Sequence, residues 1–375
     1  MEPGTKAAQD RPVPAESRGG FFSKLGKWFR PSAREGNGPE IHFGGFGKHP
    51  GWDDHVLDLG IETDGLAWVQ RTFYVRGIGE NIDNSAWDQL TADQRLADFR
   101  HAFLWRKGRD LFAGRLWASI DSKNRARYPM VLCTQCTSIP LDWVVSVVPA
   151  HLEQAMRRCR ETTSAADVRE AVASTQAALR VAWQSHAAAA PPPGQAPGQP
   201  LGRAPIRPGI PGPFDFLADR PELGPDRRGL LSILYEVERE MAAYRPAAPN
   251  APSQITSAVP RHIRVPGCGL PAFEAARVWI EFLAALLSPS ASLLALHPID
   301  EPWLDLIVGD PTPDDLFCMM ATPKKVPYTS DIPHKLDEEF LRRANRQIDQ
   351  NRQSAPPGAP GAPGAPNLPK SPIPA

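Results

Sequence analysis

FRHAFLWRKGRDLFAGRLWASIDSKNRARYPMVLCTQC, residues 99–136, carries three apolar runs at 99–106, 111–119 and 128–136. Each run is strand length and rich in Phe, Leu, Trp or Val, and KGRD between the first two is a hairpin-like turn. The three together predict an antiparallel meander.

Outward from this stretch, IHFGGFG at 41–47 reads as a strand and turn. Leu66, Val69, Gln70, Phe73 and Tyr74 then recur at helical spacing within 63–75. Pro140 opens a helix to about residue 160, and 165–184 is filled with strong helix formers. The order β-α-β-β-β-α-α predicts an α/β (α+β) domain over 41–185, with a central antiparallel sheet flanked by helices.

Residues 186–226 contain AAAAPPPGQAPGQPLGRAPIRPGIPGP and read as a Pro/Gly-rich linker. Beyond it, 227–351 predicts a second small α/β unit. Its helix at 228–244 carries Leu231, Leu234, Val237 and Met241 on one face. HIRVPG at 262–267, a helix at 272–287, strand-like runs at 292–297, 303–308 and 316–321, and a charged helix at 337–351 follow. A second β-α-β-β-β-α order suggests duplication, on element order alone.

The ends differ in texture. Residues 352–375 form a Pro/Gly/Ala tail. Residues 1–40 form a polar tail interrupted by FFSKLGKWFR at 21–30. On a helix, Phe21, Leu25, Trp28 and Phe29 would share a face suited to weak contact with a partner groove or a membrane surface.

Lys plus Arg and Asp plus Glu number 42 each, so no global field draws the chain to nucleic acid or membrane. Cys133, Cys136, Cys159, Cys268 and Cys318 are odd in number and scattered, which predicts a reducing, cytoplasmic setting. No run approaches the roughly 20 apolar residues of a membrane-spanning helix. In the densest one, 272–287, Glu274, Arg277 and Glu281 interrupt.

GGFGKHPG at 44–51 invites a phosphate-loop reading. A Walker sequence ending at Gly47-Lys48 would need glycine at His42 and a hydroxyl at His49, so nucleotide binding is not expected, and no cofactor is called for. His49, Asp53, Asp54 and His55 crowd one loop, and imidazole with carboxylate is the donor set of a metal-dependent hydrolase. Four donors within seven residues are better read as a loop whose aspartates cap turns. Cys133-x-x-Cys136 lies on a strand, with its thiols on opposite faces, and reads as structural. Ser119, Asp121, Arg125 and Arg127 sit in a polar loop between apolar strands and are candidates for partner or anion binding.

These two loops resemble the TagF family of type VI secretion-associated proteins. GGFGKHPGWDDHV matches its block G-x-x-G-K-x-P-x-x-G-D-F-V at Gly44, Gly47, Lys48, Pro50, Asp54 and Val56, with Asp53 for glycine and His55 for phenylalanine. ASIDSKNRARYPM meets P-S-x-D-x-x-G-R-x-F-P-L at Ser119, Asp121, Arg125 or Arg127, and Pro129, with one extra residue, Asn124 near the glycine position and Ala118 for proline. The resemblance covers about 41–160. It implies a longin-like antiparallel domain acting in the cytoplasm as a non-catalytic regulator of secretion-system assembly. The partner it implies is a forkhead-associated scaffold protein, and Lys48, Trp52, Asp54, Ser119, Asp121, Arg125 and Arg127 are the candidate contacts. Two other readings are the metal-dependent hydrolase above and a longin- or roadblock-like scaffold for a small GTPase.

Overall fold

The predicted meander forms as β3 (Arg100–Lys107), β4 (Asp110–Ala118) and β5 (Pro129–Thr137), each antiparallel to the next. The computed structural model describes residues 38–189, 212–246 and 258–353, all within one compact unit, Glu35–Ala375. The 21–30 segment, the tail from 354 and most of the linker lie outside the described residues.

β1 (Glu40–Gly47) pairs antiparallel with β5, from Glu40↔Thr137 to Gly47↔Met130. Gly47 has φ 128°, and a Cβ there would come within 2.2 Å of the Pro129 carbonyl. Glycine is therefore what lets the chain leave β1 close against β5. β2 (Val56–Leu59), on the far side of β1, was not anticipated. Its four residues are too few to show an alternation, and pairing with β1 makes it a strand.

The helix expected over 63–75 is longer and less regular. Thr63 caps α1 (Asp64–Val69) by accepting from the Leu66 N–H, and a π-helical stretch, Gln70–Gly79, leads into α2 (Glu80–Asp83). After β5 come α3 (Leu141–Arg160) and α4 (Ala165–Ala189), as predicted.

The later segment supplies α5 (Pro213–Ala218), α6 (Arg228–Glu240), β6 (Arg261–Pro266), α7 (Ala272–Leu286), β7 (Leu293–Pro298) and β8 (Trp303–Val308). Its final elements are α8 (Pro313–Leu316) and α9 (Glu338–Gln353). The strand expected at 316–321 is instead helical. Thr312 and Asp315 form a reciprocal capping box with Pro313 in the first turn, and a 3₁₀ turn, Phe317–Met320, follows. A short buried apolar run does not distinguish the two by pattern alone. The second β-α-β-β-β-α series therefore lacks its third strand.

β3 pairs with β7 from His101↔Pro298 to Arg106↔Leu293, so the strands of segment 227–351 extend the sheet of segment 41–185. The sheet has eight antiparallel strands in the order β2-β1-β5-β4-β3-β7-β8-β6. Both faces are apolar, as alternation along each central strand requires. Leu104, Ala113, Leu132, Ala295 and Leu306 face the layer of α3, α4 and α7, together with α5, α6 and α9. Phe103, Phe112, Val131, Leu294 and Ile307 face the α1–π helix and the 316–320 turn. Phe103 lies opposite Gly114, where a Cβ would meet its ring at 2.3 Å, so glycine makes room for the aromatic. Among the described residues, no helix is long and apolar enough to cross a membrane.

Candidate functional site

Antiparallel pairing of β1 with β5 places the end of β1 beside the start of β5, and so brings the 48–55 loop against the 119–128 loop. Lys48 N–H still donates to the Pro129 carbonyl (3.2 Å), one step beyond the ladder. The Lys48 ammonium turns inward and donates to Asp121 Oδ2 at 2.7 Å, across 73 residues of sequence. Both side chains are buried, at 5% and 0% exposed.

Asp121 organises the whole second loop. Its Oδ1 accepts the backbone N–H groups of Lys123 and Arg125, each at 3.0 Å, and its Oδ2 also accepts Arg125 Nε at 2.7 Å. Burial works to raise its pKa, but the bonds from Lys48 and Arg125 outweigh burial and hold the carboxyl below its ordinary value. Asn124, near the glycine position of the family block, has φ 59°. Asn tolerates this left-handed conformation better than most residues do, so Asn124 fits the turn.

From Asp121 the network reaches the surface. Arg125, 48% exposed, donates to the Asp53 carbonyl (2.7 Å) and lies 3.3 Å from Asp54 Oδ1. Ser122 Oγ donates to Asp53 Oδ1 (2.6 Å), and Ser122 N–H donates to the Trp52 carbonyl (2.9 Å). Exposed Asp53 is held below its ordinary pKa, first by the Ser122 bond and then by Lys123. Arg127, exposed, donates to Asp88 at 2.9 Å. Trp52 is half-buried beneath the Arg169 guanidinium, 5.3 Å from its ring.

Of the candidate contacts, Lys48 and Asp121 thus lie behind the surface, where they fix the loops. Asp54, Arg125 and Arg127 stand at it. Ser119 is half-buried and makes no hydrogen bond among the described residues.

The four metal-donor candidates do not converge. His49 Nδ1 accepts the Gly51 N–H (3.0 Å), which leaves its Nε2–H to donate to the Cys159 carbonyl at the end of α3 (2.7 Å). Burial lowers its pKa, partly offset by the carbonyl. His55 bonds the Tyr74 hydroxyl (2.8 Å) and packs edge-on against Tyr128, ring centres 4.6 Å apart. Burial and then the Lys48 charge lower its pKa, so it serves as a neutral aromatic where the family block has phenylalanine. Asp53 and Asp54 face the second loop.

A different set does converge: among the described residues, His262, Asp305 and Cys318 have ligand atoms within 4.8 Å of one another. Their lone pairs are already used. Arg264 donates from Nε to Asp305 Oδ1 (2.7 Å) and from Nη2 to Oδ2 (2.8 Å), and His262 Nε2 also reaches Oδ1 (2.7 Å). A metal ion here would sit against a buried guanidinium, so the set is an ion-pair cluster and not a cation cradle. Sequence reading passed over it, because Arg264 and Asp305 sit on separate strands that only the β6–β8 pairing aligns. Apolar neighbours gave Asp305 no signal beyond its being charged in a strand buried along its whole length.

Cys133 and Cys136 fall on opposite faces of β5, in the two separate apolar layers. Burial pushes both thiols up to about 12, so neither is a ready nucleophile near neutral pH. No family model matches the chain, and no curated protein matches it.

Proposed function

We propose that this chain is a non-catalytic adaptor or regulator that acts through protein–protein binding at the surface of the 52–55 and 119–127 loops. Its partner system, on the resemblance to the TagF family, is cytoplasmic type VI secretion assembly, with a forkhead-associated scaffold protein as the component bound. The observation that carries this reading is the Lys48–Asp121 pair: it joins one matching residue from each family block and, through Arg125, holds Asp53 and Asp54 in a fixed arrangement at the surface, while Arg127 is held separately by Asp88. A buried pair of this kind contributes geometry more than affinity, and rigid loops lose less entropy on binding.

The test is affinity purification from the native host of the unaltered chain beside Asp53→Arg with Arg127→Glu, both folded by circular dichroism. Capture of a forkhead-associated secretion component by the unaltered chain and its loss from the variant is the expected result. Equal capture by both would move the contact elsewhere. Recovery of no secretion component by the unaltered chain would remove the system assignment.

A further inference from the structure

No further inference is drawn: the strongest candidate, the groove of about 220 Å³ between the edge strand β2 and α4, floored by Phe43, Val56, Leu59 and Val172, sets Asp58 and Glu62 against Arg169 along its lining, and nothing in the structure shows what covers it.

Discussion

Asp121 and Asp305 each hold a buried cation, and they differ in where the network goes next. Around Asp305 it closes on itself. Arg264 is fully buried, and two of its three remaining N–H groups donate to the Cys318 and Val326 carbonyls at 3.1 and 3.0 Å. Burial alone would raise the Asp305 pKa, but the His262 bond and the Arg264 charge hold it below its ordinary value. Around Asp121 the network opens: Lys48 is buried, Arg125 is half-exposed, and Asp53 beyond it is in solvent. The first cluster fastens the 317–331 segment to β6 and β8. The second stiffens a surface. Two similar pairs thus do different work, and the exposure of the outermost partner tells them apart.

The sharpest way to break this comparison is Arg264→Ala. It leaves the Asp305 carboxylate buried with His262 as its remaining side-chain donor, and should cost about 3–5 kcal/mol in urea unfolding. Arg264→Met with Asp305→Leu should recover most of that loss, because an apolar pair needs no counter-charge. A double variant as unstable as the single one would show that the cluster does more than neutralise itself.

Acid probes the closed region next. His101 Nε2–H donates to the Met319 carbonyl (2.8 Å), beside the Cys318 carbonyl that Arg264 holds, and burial lowers the His101 pKa to about 4. The folded value lies below the unfolded one of about 6.5, so the unfolded chain takes up the proton first. This stability is whole above about pH 6.5 and falls as pH drops toward 4, by roughly 3 kcal/mol in all. The drop should shrink in His101→Gln when urea midpoints are compared across that range. An equal drop in the variant would assign it to other groups.

Lys48→Met should cost less than Arg264→Ala, because Asp121 keeps Arg125 and two backbone N–H groups. Its larger effect should be on the loops, read as faster amide exchange at Lys123 and Arg125. A loss as great as that of Arg264→Ala would erase the distinction between open and closed clusters. Smallest of all, Asp53→Arg with Arg127→Glu should stay within about 0.5 kcal/mol of the unaltered chain in urea unfolding, while capture of the proposed partner is lost.

Much of the architecture was legible in local pattern. Apolar runs of strand length over 99–136 announced β3, β4 and β5, Pro140 and a run of strong helix formers announced α3 and α4, and helical spacing of apolar residues announced α6. The pattern failed where it was short. VLDL at 56–59 shows no period, and LFCMM at 316–320 is apolar enough for strand or helix until Thr312 caps it. At the candidate site, both loops and most of their residues could be picked out by type, and the opposite facing of Cys133 and Cys136 followed from their spacing. What could not be read was burial: Lys48 and Asp121 look like surface charges in a polar loop.

What the sequence by itself determined, then, was each element whose side chains repeat over several turns or pleats, because that periodicity is a local property of the chain. Only the tertiary structure decided that β3 takes β7 as its second neighbour. It also decided that Lys48 meets Asp121 across 73 residues and Arg264 meets Asp305 across 41. Strand edges offer the same N–H and C=O groups whatever their partner, and a charge becomes buried only when another element closes over it, so neither outcome is encoded in any one stretch.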